Sequence, residues 1–229
     1  MNTTTIVTGS EVLNLKASDT ILLKNVKIEG SKGSNNGKIN YSSRNLIVKD
    51  SVIAEDATIY NVFEGNQKDV TTKKVLIDNL SANTPNLKHN ILNTYQPEDN
   101  AEIIIQNSDF NLNVANSNIM RVSNYKNANN VTIKFKNINW TYENVSYSKS
   151  DAVWAGLLLY QPANNDSALS GDLSNINTWT VIIENCYYNG KHVTSNNFGE
   201  ISQCVYFYNI GGSKLIEDPA KYGITLKFI

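Results

Sequence analysis

The sequence predicts an all-β protein made of stacked coils, in which each coil contains two short strands and a corner. Three observations support this fold class. Short β-branched and aliphatic runs recur along the chain, and an Asn or Asp stands at the same place in each run. No stretch longer than about ten residues shows clean helical periodicity. Recurrence of one pattern at a regular interval is typical of proteins built from stacked repeats.

Six segments carry the recurring pattern. They read ILLKNVKIEG (21–30), LIVKDSVIAE (46–55), VLIDNLSA (75–82), IIIQNSDF (103–110), VTIKFKNINW (131–140) and VIIENCYYNG (181–190). The shared corner positions are Asn25, Asp50, Asn79, Asn107, Asn137 and Asn185. Successive corners are 25, 29, 28, 30 and 48 residues apart. Four intervals therefore match one repeat, and the last matches one repeat plus an insertion.

Hydrophobic residues alternate on both sides of the corner, with a shift of one position across it. In IIIQNSDF, Ile103 and Ile105 precede Asn107, and Ser108 and Phe110 follow it. A strand that turns a corner while keeping its side chains in the core needs this shift. Asn suits the corner because it tolerates left-handed backbone and can hydrogen-bond nearby backbone. We therefore expect the six corner residues to form a structural ladder.

A second strand follows the corner in most repeats. The candidate segments are 38–43, 58–63, 90–95, 118–123, 156–161 and 204–209. A unit of this size cannot bury its own apolar side. Stacked units can do so, with equivalent residues about 4.8 Å apart.

The pattern apolar-x-apolar-x-Asn-small-x-aromatic resembles the right-handed parallel β-helix of the pectin-lyase-like superfamily. The resemblance covers about residues 18–210, and it implies a single-stranded β-helix of about six to seven coils. The superfamily includes polysaccharide lyases and hydrolases as well as spike and fibre proteins of bacteriophages. The alternative fold is an antiparallel β-sandwich or jelly roll, which also uses many short strands. That alternative does not explain the regular interval or the shift at the corner.

Three regions follow from the pattern. Residues 1–17 are expected to form a first strand and an N-terminal cap, because open ends of a β-helix invite aggregation. Residues 18–210 are the β-helix domain, with a Ser-rich and Asn-rich insertion at about 141–178. Residues 211–229 end in the alternating segment ITLKFI and are expected to cap the C-terminal end or to pair with a neighbouring chain.

Composition argues against several classes of partner. The net charge of −1 does not favour nucleic acid or an acidic membrane surface. No apolar stretch approaches the roughly 18 residues of a membrane span. The segment MNTTTIVTGS lacks the basic region and the apolar run of a signal peptide. Without an export signal, Cys186 and Cys204 are expected to be buried thiols, although pairing between them is the alternative.

The residues needed for carbohydrate chemistry do not fall together in the predicted register. The resemblance implies that an enzyme on this scaffold would carry an acidic cluster on one sheet. The candidate carboxylates are Asp50, Asp78, Asp109 and Glu184. Asp50 is a corner residue, whereas Asp78 stands one position before the next corner. Neither Arg44 nor Arg121 falls beside a carboxylate pair, and we therefore expect no enzymatic activity.

Metal and cofactor sites are not expected either. His89 and His192 are far apart, and neither has a cysteine or a carboxylate at metal-ligand spacing. The chain has no glycine-rich phosphate loop and no nucleophile elbow. Carbohydrate stays a possible partner because tyrosines can stack on sugars, although aromatic residues also fill β cores. The frequent tyrosines include Tyr60, Tyr95, Tyr125, Tyr160, Tyr187, Tyr206 and Tyr208.

The outward face of the first strand in each repeat is apolar where a solvated strand should be polar. The residues three positions before the corner are Leu22, Ile47, Leu76, Ile104, Lys134 and Ile182. A contiguous apolar stripe marks an interface or a covered face. Its cover is either another protein surface, or the chain's own N-terminal segment or insertion. We predict an interface formed by Leu22, Ile47, Leu76, Ile104 and Ile182.

The sequence predicts a non-enzymatic structural protein of a bacteriophage virion, assembled in the host cytoplasm. It would serve as a capsid decoration, tail or baseplate component and contact other virion proteins or a second copy of itself. The scaffold, the absent active-site pattern, the absent export signal and the apolar stripe support this prediction, and the Lys-rich and Asn-rich composition agrees with it. The step from scaffold to virion is an analogy. The alternative function is a carbohydrate-binding or polysaccharide-degrading tail module.

Overall fold

The computed structural model describes residues 4–8, 12–30, 37–55, 58–65, 71–83, 86–112, 118–124, 128–142, 156–162, 178–198, 205–209, 212–215, 220 and 223–229. Within these ranges the chain is almost entirely β-strand. The strands belong to two sheets, which we call sheet A and sheet B.

Sheet A contains the strands that carry the recurring pattern. In chain order they are β1 (Thr4–Thr8), β3 (Thr20–Lys24), β4 (Val26–Gly30), β6 (Asn45–Ile53), β8 (Thr72–Asn83), β10 (Pro97–Leu112), β12 (Thr132–Tyr142), β14 (Trp179–Glu184), β15 (Tyr187–Tyr188), β16 (Lys191–His192) and β19 (Ile224–Phe228). Their spatial order is β1-β4-β6-β8-β10-β12-β14-β19, with β3 beside β6 and β15 beside β12.

Sheet B contains the second strand of each repeat. Its strands are β2 (Val12–Lys16), β5 (Lys38–Ser42), β7 (Thr58–Gly65), β9 (Asn86–Tyr95), β11 (Asn118–Asn124), β13 (Leu158–Pro162), β17 (Val205–Asn209) and β18 (Gly212–Leu215). Their spatial order is β18-β17-β13-β11-β9-β7-β5-β2. From β4 to β14 the chain therefore adds one strand to sheet A and one to sheet B in each repeat.

The pairing is parallel throughout both sheets, except for β15 with β16 and β17 with β18 among the described strands. The prediction of an all-β fold with parallel strands is confirmed. The antiparallel sandwich or jelly roll was the wrong alternative, because its strands would pair in opposite directions. Alternate addition to two sheets is what a chain wound as a single-stranded β-helix produces. The right-handed sense of winding stays a prediction.

The core lies between the two sheets and consists of stacked rows of apolar side chains. On sheet A, one row of fully buried register partners is Leu46, Val75, Ile103, Ile133 and Val181. On sheet B, Phe63, Leu92, Met120 and Leu158 form a matching buried row. Full burial of each such side chain contributes about 1.5–3 kcal/mol, so stacking is what stabilises units that could not fold alone.

The described parts of the two terminal regions add strands to the sheets. Within residues 1–17, β1 pairs in parallel with β4 of sheet A and β2 with β5 of sheet B. At the other end, β19 pairs in parallel with β14, and β18 pairs with β17. The ITLKF strand thus pairs within its own chain. In the predicted insertion, residues 143–155 and 163–177 lie outside the described residues.

Candidate interaction surface

The five aliphatic residues of the predicted interface lie in one row on the outer face of sheet A. Consecutive register partners on adjacent strands are Leu22, Ile47, Leu76, Ile104, Lys134, Ile182 and Lys227. We call the row from Leu22 to Ile182 the aliphatic stripe. Leu22 is 59% exposed, and the other aliphatic members are half-buried. Their role as an interface stays a prediction.

Two polar rows flank the aliphatic stripe on the same face. The row on the N-terminal side of each strand, here the N-side row, is Thr20, Asn45, Lys74, Glu102, Thr132 and Thr180. The row next to the corner, here the corner-side row, is Lys24, Lys49, Asp78, Gln106, Lys136 and Glu184. Long polar side chains lay their apolar stems along neighbouring surface. The aliphatic stripe is thus bordered on both sides by polar residues.

Ion pairs on this face are few among the described residues. Lys74 Nζ lies 3.8 Å from the carboxylate of Glu102, a separation typical of a loose surface pair. Glu184 contacts Lys134 and also Lys136, whose Nζ is 2.7 Å away. Hydrogen bonds from Lys134, and then from Lys136, lower the pKa of the Glu184 carboxyl. The charge of Lys134, the one polar member of the stripe, is therefore compensated within the chain.

The six predicted corner residues all have left-handed backbone. Their φ angles are 55° for Asn25, 51° for Asp50, 59° for Asn79, 51° for Asn107, 51° for Asn137 and 49° for Asn185. Left-handed backbone costs other L-residues with a Cβ roughly 1–2 kcal/mol. Asn and Asp lower this cost by local hydrogen bonding, which is the physical reason why these residue types recur at the corner.

Side-chain hydrogen bonds link the corners from one coil to the next. Asn79 Nδ2 donates to Asp50 Oδ1 at 3.0 Å, and Asn185 Nδ2 donates to Asn137 Oδ1 at 2.9 Å. Asn107 departs from this pattern, since its Nδ2 donates to Oδ1 of Asp78 at 2.9 Å. The corner residues therefore set the backbone geometry and also connect adjacent coils.

In two repeats the residue directly after the corner is a serine whose hydroxyl forms two hydrogen bonds to the backbone. The sequence indicated only that this position holds small buried residues. Ser108 Oγ accepts a hydrogen bond from Leu80 N of the preceding coil at 3.1 Å and donates one to Gln106 O at 2.7 Å. Ser51 makes the same pair of bonds with Val26 N and Lys49 O, at 3.2 and 2.7 Å. The signal was visible in the sequence as the alternation Val26, Ser51, Leu80, Ser108, Ile138, Cys186.

Cys186 stands directly after its corner, at the position equivalent to Ser51 and Ser108. It is a free, fully buried cysteine whose Sγ lies 3.4 Å from Glu184 O. Burial raises the pKa of this thiol to about 11, because the charged form would lose its hydration. Cys186 is thus a buried thiol, as the sequence predicted, and Cys204 lies outside the described residues.

Each candidate carboxylate is bound separately by side chains of a neighbouring strand. Asp50 and Asp78 accept hydrogen bonds from corner asparagines. Asp109 Oδ1 accepts one from Asn139 Nδ2 at 2.6 Å, and Glu184 is held by two lysines. In the described ranges, no group of three or more His, Cys, Asp or Glu side chains is placed to hold a metal ion. The prediction that the chain is not an enzyme stays a prediction.

Arg44 has a partner that the sequence did not reveal. Its Nε and Nη2 donate to the carboxylate of Glu98 at 3.0 and 2.9 Å, and Thr71 Oγ1 donates to the same carboxylate at 2.8 Å. The Arg44 hydrogen bond is the main cause that lowers the pKa of Glu98. The two residues are 54 positions apart in the chain, so no local pattern points to the pair.

The tyrosines do not form one sugar-stacking surface in the described structure. Tyr95 and Tyr160 are buried, and the Tyr160 ring packs edge-on against Trp179 with centroids 4.8 Å apart. Tyr187 is half-buried beside the exposed His192. The side chains of Tyr60, Tyr125, Tyr206, Tyr208 and His89 lie outside the described residues. Core filling therefore explains Tyr160, whereas the Tyr95 hydroxyl is bound by Asn93 on the outer side of sheet B.

The outer face of sheet B carries a buried polar cluster that the sequence reasoning missed. Glu64 accepts hydrogen bonds from Lys38 Nζ and Asn61 Nδ2, both at 2.9 Å. Asn93 Nδ2 donates to Tyr95 OH at 2.9 Å, and Asn93 is only 2% exposed. Asn61 is also nearly fully buried, whereas the side chains of Lys38 and Glu64 stay 25% and 13% exposed.

No protein-family model, no curated protein and no solved structure matches this chain significantly. Among the described residues, no helix is long and apolar enough to cross a membrane.

Proposed function

We propose that this chain is a non-enzymatic structural protein that docks on another protein through the aliphatic stripe. The observation that carries the proposal is the alignment of Leu22, Ile47, Leu76 and Ile104 in one row of register partners on an accessible sheet face. Single exposed apolar residues need no explanation, but a contiguous row between polar rows is typical of a binding surface.

The stripe is suited to docking because its side chains need no rearrangement. β-Branched and γ-branched residues held on a parallel sheet lose little freedom on binding, and a rigid surface lowers the entropic cost of association. Burial of the remaining exposed apolar area contributes about 25 cal/mol per Å². Polar side chains in the N-side and corner-side rows would form the rim of such an interface.

The setting that we propose is a bacteriophage virion, in which the chain would be a capsid decoration, tail or baseplate component. The support is the similarity of its coil pattern to the β-helices of phage spike and fibre proteins. This step is an analogy of fold and composition, and no single residue carries it. In this role the stacked strands supply a rigid rod and the stripe supplies the contact with another protein chain, either a different virion protein or a second copy.

The individual hydrogen bonding of the carboxylates supports a structural role over a catalytic one. Glycoside hydrolysis needs two carboxyl groups facing one substrate, about 5–9.5 Å apart. Here Asp50, Asp78 and Asp109 each accept a hydrogen bond from an asparagine of the next coil. Incubation with a panel of bacterial polysaccharides tests this part of the proposal, since depolymerisation of any of them would contradict it.

Mass spectrometry of purified phage particles from the source culture tests the setting, and we expect the chain among the virion proteins.

A competition experiment tests whether the aliphatic stripe is the docking surface. Tagged Leu76→Lys protein, supplied in trans, should be excluded from particles, whereas tagged Ser81→Lys protein should be incorporated. Ser81 is exposed on the same strand but lies outside the stripe. A lysine already stands in the same row at position 134, and circular dichroism shows whether each variant has folded. Equal incorporation of the two variants would contradict docking through the stripe.

A further inference from the structure

We propose that the partner of the aliphatic stripe is a second copy of this chain, bound face to face with the two stacks parallel. This inference rests on the proposed docking function of the stripe and names its occupant. A two-fold axis parallel to the stack brings each strand of sheet A opposite the same strand of the second copy. The stripe then meets itself, and Leu76 packs against Leu76 of the second copy. Homodimers with such isologous contacts are the commonest oligomers.

The flanking charges favour this orientation. With the stacks parallel, the N-side row of one copy faces the corner-side row of the other. Lys74 therefore faces Asp78 of the second copy, and the symmetry produces this pair twice. On β10 the same operation places Gln106 opposite Glu102, so that the amide can donate to the carboxylate. Opposite charges and hydrogen-bonding groups across an interface fix its register more than they add affinity.

The remaining strands at the centre of this interface place no like charges directly opposite each other. On β6, Lys49 faces Asn45 of the second copy, and on β3, Lys24 faces Thr20. Each lysine therefore meets a neutral polar side chain that can accept a hydrogen bond.

The same side chains disfavour the opposite orientation when Leu76 lies at its centre. With the stacks antiparallel and Leu76 at the centre, each row faces itself. Lys74 would then face Lys74, Asp78 would face Asp78, and Lys24 would face Lys136 of the second copy. Like charges juxtaposed across an interface cost several kcal/mol. The charge pattern thus disfavours antiparallel stacks that are centred on Leu76.

Lys134 marks the end of the dimer contact. In the parallel arrangement Lys134 faces Lys134 of the second copy. Within each chain, however, Glu184 compensates the charge of Lys134. Sheets that pack face to face are about 10 Å apart and cross at about 30° because of their twist. The contact is therefore closest over a few strands and opens beyond them. Leu22, Ile47, Leu76 and Ile104 form its core.

Size-exclusion chromatography with light scattering tests the partner. We expect a dimer for the wild-type protein and for Ser81→Lys, and a monomer for Leu76→Lys. Circular dichroism of each variant shows whether it has folded. A monomeric wild-type protein at high concentration, a trimer, or a dimer that survives Leu76→Lys would overturn the proposal.

Cross-linking tests the orientation. A short bismaleimide is the right reagent, because the facing sheets are about 10 Å apart, which is too far for a direct disulfide. A mixture of Lys74→Cys and Asp78→Cys proteins should give cross-linked dimers, and Lys74→Cys alone should not. The wild-type protein controls for its own cysteines. Cross-linking of Lys74→Cys to itself would show antiparallel stacks and would overturn the proposed arrangement.

Different results would overturn the dimer and the proposed virion function. A monomer that is nevertheless found in virions, and loses incorporation on Leu76→Lys, would overturn the dimer and leave docking on another virion protein. A dimer that is absent from particles would overturn the virion setting and leave the self-association intact.

Discussion

Asn137 Nδ2 donates a hydrogen bond to Asn107 Oδ1 at 2.8 Å, and both residues have a φ of 51°. One residue type thus performs two tasks at the same corner. Its backbone supplies the left-handed turn that shifts the alternation by one position, and its side chain ties one coil to the next. The two tasks are separable, because glycine permits the backbone but has no side chain.

Asn107→Ala should destabilise the protein more than Asn107→Gly. Both variants lose the side-chain bonds to Asp78 and Asn137. Only alanine also bears the strain of left-handed backbone, which costs roughly 1–2 kcal/mol. We expect a difference of about 1 kcal/mol between the two variants in urea unfolding monitored by circular dichroism. Equal losses would show that the amide ladder matters and the backbone strain does not.

Ser108→Ala should cost about 1–3 kcal/mol, because it leaves the buried Leu80 N–H without its acceptor. The matched control is Ser81→Ala, an exposed position on the outer face, which should change stability by less than about 0.5 kcal/mol. Ser108→Cys should fall between the two, since Cys186 occupies the equivalent position in the sixth segment. A loss for Ser108→Ala no larger than for Ser81→Ala would contradict the role of the hydroxyl.

Sheet A could be predicted from the sequence because its register is regular. Each repeat places the same rows at the same distance from the corner, so that Ile103, Ile105 and Phe110 all fall in buried rows. The corner itself was predictable from residue type, since few residues accept left-handed backbone. The position of the stripe followed from the same alternation.

Sheet B was harder to predict because its register shifts. Lys38 and Ile39 are adjacent in β5, but their register partners in β7 are Asn61 and Phe63. Strand β7 therefore has one additional residue here, which interrupts the alternation of inward and outward side chains. A second shift separates Ile59 from Asn61 against β9. Such bulges change which face a residue occupies, and no pattern within one repeat reveals them. The polar cluster around Glu64 was missed for this reason.

Stability should fall at alkaline pH in a way that depends on Tyr41. Burial raises the pKa of its hydroxyl to about 12 from an ordinary value near 10. The folded state therefore favours the neutral phenol, so its stabilising effect is complete below about pH 10 and is lost as pH rises to about 12. We expect the stability difference between wild type and Tyr41→Phe to shrink over this window, by an amount on the order of 2–3 kcal/mol.

Ionisation of the Cys186 thiol should also lower the stability of the folded state, starting at a lower pH than ionisation of Tyr41. The thiol's raised pKa of about 11, against an ordinary value near 9, means that stability from the neutral thiol is lost between these two values. Cys186→Ser should flatten the stability profile from about pH 9 upward, whereas Tyr41→Phe should flatten it only above about pH 10. A wild-type profile with no loss across both windows would contradict the burial of these groups. Urea denaturation at a series of pH values measures all three profiles.

The Tyr41 ring explains a glycine on the neighbouring strand. Tyr41 lies opposite Gly65 in the register of sheet B, and its hydroxyl donates to Thr94 Oγ1 at 2.9 Å, 53 residues further along the chain. A Cβ on Gly65 would meet the Tyr41 hydroxyl oxygen at 3.1 Å and Cζ at 3.2 Å. The ring therefore passes across the space that a side chain at position 65 would occupy.

Gly65→Ala should destabilise the protein by about 1–3 kcal/mol, because the added methyl group overpacks a site where the Tyr41 ring is fully buried and tethered. In a Tyr41→Phe background the same change should cost less, since the ring is freed from its bond to Thr94 and can yield by a few tenths of an ångström. Thr94 retains a hydroxyl partner in that background, because Thr72 Oγ1 lies 3.1 Å from Thr94 Oγ1. A double-mutant cycle measures the coupling directly, and residues in contact typically couple by 0.5–3 kcal/mol. Strictly additive effects of Gly65→Ala and Tyr41→Phe would mean that the close approach of the ring does not determine the choice of glycine.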